Sequence, residues 1–133
     1  MTKTLEQAAA MRAAFDAIEE CYEFMLAYAA QGRKTEQAEG AGESRIRVHL
    51  RRMEQALAEC DAALGDGVLG IAEGGAFTTR FRENLAVARS VIGLLQSQPS
   101  VSSEMVDNTN GLIAMRAFLT DLFFIDTVVL PKR

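Results

Sequence analysis

The chain has no tryptophan, two prolines, two cysteines and one histidine among its 133 residues, and each shortage removes a class of chemistry. A zinc site takes about four soft ligands, whereas Cys21, Cys60 and His49 are the only Cys or His side chains in the sequence. The two cysteines lie 39 positions apart with no C-x-x-C motif. They therefore read as small, reduced, half-buried thiols of a cytoplasmic protein, with a disulfide between neighbouring helices as the alternative. With a single histidine and no Ser or Cys at a recognisable elbow, a nucleophile has no base to activate it, so the chain is expected not to be an enzyme. The longest stretch without a formal charge is the 14 residues from Ser90 to Ser103, shorter than the roughly 20 apolar residues that span a bilayer. Met1, Thr2, Lys3, Thr4 and Leu5 lack the basic-then-apolar order of an export signal. Positive charge is also scarce: 14 Lys+Arg stand against 18 Asp+Glu, a net charge of −4 with His49 counted as neutral. Neither a nucleic acid nor a membrane surface is an expected partner, since both select a basic surface.

What is abundant is helix-forming. Ala, Leu and Met supply 40 residues against 14 Val+Ile, proportions that favour helix over strand. Ala8, Met11, Phe15, Ile18, Tyr22, Met25 and Ala29 recur in steps of three and four. Beside them runs a second seam of Ala10, Ala14, Ala17, Cys21, Phe24 and Tyr28, making a face wide enough for two neighbouring helices. A second helix is predicted from Ile46, Leu50, Met53, Leu57, Cys60 and Leu64, and a third from Phe81, Leu85, Ala88, Ile92 and Leu95. Thr78 or Thr79 is the expected N-cap of the third, and the segment Gln96 to Ser102, with Pro99, ends it. A fourth helix is predicted from about Ser103 to Leu130, stopping at Pro131. Asn110-Gly111 is a turn signal inside it, so a start near Gly111 is the alternative. The expectation is one all-α domain over residues 1–133, a four-helix bundle, mostly antiparallel, with two long connections at about 31–44 and 65–79. The lengths of those connections leave the handedness open.

Several motifs match in letters and fail in context. Gly65-Asp66-Gly67-Val68-Leu69-Gly70 has the spacing G-x-G-x-x-G, but a dinucleotide fingerprint comes after a strand and opens a helix. Here a helix precedes it, and Gly74-Gly75 breaks the helical pattern soon after it, so a flexible connection is expected. Di-metal bundles need Glu-x-x-His with inward ligands. Ile46 stands three before His49, and the apolar seams hold no Glu. His49 and Met53 lie on one helix and cannot ligate opposite faces of a haem, and no C-x-x-C-H occurs. No metal and no cofactor are expected. Asn84 and Asn108 fall at seam positions and read as register-fixing amides, with a ligand pocket as the alternative. The methionine-rich seams also fit a small-molecule-binding bundle, a further alternative.

Arg45, His49 and Arg52 share one flank of the second helix. Arg47 and Arg51 have helical carboxylate neighbours in Glu43 and Glu54, whereas Arg45 and Arg52 have none within the helix. They either reach Glu19, Glu20 or Glu23 on an antiparallel first helix or form an anion or phosphoryl site with His49. The spacing of His49 and Arg52 resembles that of histidine phosphotransfer domains, four-helix units of similar length. In those domains a half-exposed histidine carries the phosphoryl group and a basic residue often stands three positions later. Met53, where that family usually has a small residue, and Arg51, where it has an apolar one, depart from the pattern.

The fourth helix is the most distinctive. From Ala117 to Leu130 only Asp121 and Asp126 are charged. Arg116, Thr120, Phe123, Thr127 and Leu130 form the stripe that faces water in a monomer, and Phe124 and Val128 widen its apolar part. A helix that is apolar all round is normally covered on every side. The expected function is therefore that of an adaptor, regulator or assembly factor, by protein–protein contact. Phe123, Phe124, Thr127 and Leu130 would form the interface of a homodimer or a partner complex, with enclosure inside the monomer as the alternative.

Overall fold

A computed structural model of the chain describes residues 2–38, 40, 42–65 and 75–131, and over these the protein is all-helical. Five α-helices pack together: α1 (Thr2–Ala29), α2 (Arg45–Leu64), α3 (Gly75–Gln96), α4 (Ser103–Gly111) and α5 (Ile113–Phe124). A π-helical turn, Ile125–Val129, continues α5. Among the described residues the only extended pairing is an isolated antiparallel bridge between Ala38 and Ser44.

The predicted seams form the core. Every seam residue of α2 and α3 is buried, and α1 adds Ala8, Met11, Phe15, Ile18 and Met25 from one seam and Ala14, Cys21 and Tyr28 from the other. Side-chain bonds give the directions. Gln7 near the start of α1 donates to the Ala63 carbonyl near the end of α2, 2.8 Å away, and Arg52 meets Glu20 further along, so the two helices run antiparallel. Asp61 of α2 meets Arg89 of α3, and Arg80 of α3 meets Asp121 of α5. Phe81 stacks on Phe118 at 5.2 Å, fixing the α3–α5 register.

The predicted fourth helix is two helices, not one. Gly111 ends α4, and Leu112 is extended (φ −62°, ψ 135°), its amide bonded back to the Thr109 carbonyl at 3.2 Å. One extended residue resets the helical phase. Met105, Asn108 and Leu112, which a continuous helix would bury, are exposed, while Ser103, Val106, Thr109 and Asn110 are buried instead. Asn110 holds the break against α1 by donating to the Met25 carbonyl at 3.3 Å. Asn84 is half-buried, so the buried amide of the bundle is Asn110 rather than either asparagine expected.

Two other boundaries shift. The second connection ends earlier than residue 79, because α3 already begins at Gly75. Thr78 and Thr79 are therefore inside the helix, and Thr79 bonds back to the Gly75 carbonyl at 3.0 Å instead of capping. The G-x-G-x-x-G letters fall, after Gly65, outside the described residues. Ser44 and Ser102 are the caps that do form, accepting from the Arg47 and Met105 amides.

One polar cluster fastens the end of the assembly where α1 and α3 finish and α2 and α4 begin. The Glu36 carboxylate, in the connection after α1, accepts from the Arg47 guanidinium, the Ser44 hydroxyl and the Val101 amide. Arg47 also donates to the Gln96 carbonyl at 2.6 Å and to the Gln98 carbonyl. Beside it the Tyr28 hydroxyl donates to the Val101 carbonyl at 2.6 Å, and Ser103 bonds both the Tyr28 carbonyl and the Arg33 amide. Burial pushes the Glu36 carboxyl up, but bonds from Arg47, Ser44 and Val101 and the Arg47 charge outweigh it, leaving the pKa below the ordinary value.

Removing one partner of a largely buried, hydrogen-bonded pair leaves the other charged and unsatisfied, so Arg47→Met should cost about 2–4 kcal/mol in urea unfolding. A lowered folded-state pKa contributes stability above the unfolded value, about 4.3, and loses it as pH falls through the folded one. The stability gap between wild type and Glu36→Gln should therefore be full at pH 7 and shrink as the pH drops below about 4.3. A gap constant down to pH 3 would show that the Glu36 charge contributes nothing.

Candidate functional site

The C-terminal surface is built by the α5 helix and the π turn that continues it. Phe118, Leu119, Leu122 and Ile125 point into the core, so residues on the opposite side are left outside. Phe123 (48%), Phe124 (49%) and Val128 (62%) are exposed, as is Thr127. Phe124 leans on Phe77 of α3, ring centres 5.4 Å apart, without being covered. Leu130, expected on the same stripe, is instead buried at 4%. The π turn explains the difference: the Leu130 amide bonds the Ile125 carbonyl at 2.9 Å, five residues back. The wider turn advances the chain by less than 100° per residue, so Leu130 is rotated inward while Thr127 and Val128 stay exposed.

The two carboxylates of this segment are both engaged from within. Asp121 is buried and accepts two bonds from Arg80, the shorter 2.7 Å. Asp126 meets Arg12 of α1 at 3.4 Å, and Arg12 also donates to the Pro131 carbonyl at 2.6 Å, tying the chain end to α1. Each aspartate is thus neutralised by another helix, and the outer face keeps its aromatic and aliphatic side chains. At the start of α5, Ile113 is 85% exposed.

The second candidate cluster, on α2, is rearranged relative to its sequence reading. His49 is half-buried and lies flat on Phe24 of α1, ring centres 3.7 Å apart and planes within 2°. Its Nδ1 is 2.9 Å from the Arg45 carbonyl. Arg52 is not beside it in function: its guanidinium bonds Glu20 at 2.9 Å, and that bond together with its charge holds the Glu20 carboxyl below its ordinary pKa. Arg45 extends over the Phe24 ring at 5.5 Å and carries no ion pair among the described residues. The other two arginines choose partners across the connection rather than along the helix. Arg47 takes Glu36 instead of Glu43, and Arg51 takes Glu43 instead of Glu54. Glu36 and Arg33 carried no periodic signal, because both lie in an irregular connection.

Among the described residues no three His, Cys, Asp or Glu side chains gather to hold a metal, and no helix is long and apolar enough to cross a membrane. The methionines that would line a ligand pocket, Met11, Met25, Met53 and Met115, are packed into the core. Cys21 and Cys60 are fully buried rather than half-buried, and unpaired. Burial pushes both thiols up, Cys60 to about 12. Compared with known proteins, the chain matches no family model, no curated protein and no solved structure.

A buried, protonated thiol is a poor nucleophile. Ellman's reagent at pH 8 should therefore release no thiolate from the native protein within minutes and titrate both cysteines in guanidinium chloride. Rapid reaction of either under native conditions would show that α1 and α2 separate readily.

Proposed function

We propose that this protein is a non-enzymatic, cytoplasmic regulatory or adaptor protein that acts by protein–protein contact and associates with a second copy of itself through the outer face of α5 and its π turn. In this reading α4 and α5 count together as the fourth arm of a four-helix bundle, broken at Leu112, and the broken arm carries the interface. The single observation behind it is the exposure of Phe123, Phe124 and Val128 in a segment whose only carboxylates are both taken by intramolecular arginines. Interfaces are depleted in free charge at their centre and enriched in aromatics, and this face has both properties. Thr127 belongs to the rim. Leu130 does not belong to the interface and supports the turn from below.

A two-fold dimer uses the same patch on both subunits, so one charged substitution acts twice. Sedimentation or light scattering should give twice the 14.5 kDa chain mass for the wild type. Phe123→Glu with Val128→Glu should give a folded monomer with an unchanged helical circular dichroism spectrum. A wild type that stays monomeric at 100 μM, or a double variant that still dimerises, would remove the proposal.

A further inference from the structure

At the opposite end of the helices from Phe123 lies a cavity of about 210 Å³ between the end of α1 and the start of α2. Its walls include the Phe24 and Tyr28 rings, and two guanidinium groups reach it, Arg33 from the connection and Arg45 from the first residue of α2. Arg33 lies over the Tyr28 ring at 5.9 Å and Arg45 over Phe24 at 5.5 Å. Contacts of that length hold a guanidinium in place through its flat face and leave its edge donors free. Arg33 uses one donor on the Gln31 side-chain oxygen at 2.6 Å.

The charge balance around this cavity is unusual for an acidic chain. Among the described residues, none of the side chains lining it is Asp or Glu. Elsewhere carboxylates are shared out: Arg47, Arg51 and Arg52 of α2 each meet one, as do Arg12, Arg80 and Arg89. Arg33 and Arg45 meet none among the described residues, although the sequence holds four more acids than bases. The first turn of α2 contains no acidic residue either, so its positive dipole end adds to the two guanidinium charges. Glu36, in the same connection as Arg33, is committed to Arg47, Ser44 and Val101.

We infer that this cavity binds the phosphate group of a small molecule, held between the Arg33 and Arg45 guanidinium groups with the Gln31 and Gln37 amides beside it. The volume equals about seven waters, enough for a phosphate with a small substituent. Guanidinium forks match phosphate oxygens in pairs. The pair that binds is thus Arg33 with Arg45, not Arg45 with Arg52 as the sequence suggested. His49 holds the Phe24 ring of the site by stacking on it. The site lies apart from the α5 face, and its occupancy does not depend on self-association.

The test is calorimetric titration with inorganic phosphate at constant ionic strength, with amide chemical shifts followed by NMR. Both arginines are exposed, so glutamine replacements leave the core intact. Wild type should bind one phosphate saturably and shift the amides of Ser44 to Arg47. Arg33→Gln and Arg45→Gln should each weaken binding about tenfold, the loss of one charge-assisted contact. Arg52→Gln, which changes net charge equally, should alter the Kd by less than about twofold, because that arginine already serves Glu20. Absence of saturable binding, or Arg52→Gln weakening it as much as Arg45→Gln does, would overturn the inference.

Discussion

The Glu36 carboxylate is partly buried with three donors converging on it, and this is the contact on which the rest of the arrangement hangs. A largely buried carboxylate is tolerated only when its oxygens are satisfied, and here the donors come from three parts of the chain: the N-cap of α2, the first turn of α2 and the segment before α4. Arg47 completes the set by donating to the Gln96 carbonyl, the last of α3, which a helix end otherwise leaves unpaired, and to the Gln98 carbonyl just beyond it. The cluster therefore decides where α2 starts, where α3 stops and how closely α4 is drawn back to α1. Hydrophobic burial along the seams supplies most of the driving force for packing, but it is nearly indifferent to sliding by a turn. The directional bonds of Glu36 and Arg47 are not.

Charge neutralisation between helices shapes both ends of the molecule. Asp121 and Asp126 serve Arg80 and Arg12, so the outer side of α5 and its π turn is left apolar. At the other end Glu20, Glu36 and Glu43 serve Arg52, Arg47 and Arg51, and Arg45 with Arg33 is left over. The same pairing of acids and bases leaves the Phe123, Phe124 and Val128 patch without a charge of its own, with exposed Arg116 two turns before it, and, among the described residues, leaves Arg33 and Arg45 without a carboxylate at their shared cavity. Net charge, an average over the chain, reveals neither.

Much of this fold is legible in the residue order alone. The seams of α1, α2 and α3 can be read because their periodicity is unbroken and each step of three or four keeps a side chain on one face. The connection from Gln31 to Ser44 and the end of α3 at Gln96 are set by turn chemistry. The last helix misleads for the same reason that the first three do not: a periodic pattern assumes constant phase. Leu112 in an extended conformation and the π turn at Ile125–Val129 each reset it. Asn108 and Leu112 consequently turn outward and Asn110 and Leu130 turn inward. The candidate sites are half legible. Phe123, Phe124 and Thr127 are exposed as expected, and the antiparallel alternative for Arg52 holds through Glu20. The partners of Arg47 and Arg51 differ from those that helical spacing assigns, and Arg33 gives no sign of itself.

The sequence by itself determined the helical class, the three regular seams and the near absence of charge from Ala117 to Leu130, all of which depend on residue order within one or two turns. Only the tertiary structure decided which carboxylate each arginine meets, where the last helix breaks, and that Arg33 and Arg45 share a cavity. Those outcomes join residues far apart in the chain, as Arg33 and Glu36 in an irregular connection are joined to α2, and Arg12 to Asp126. Spacing along a sequence carries no information about such distances until the helices have packed.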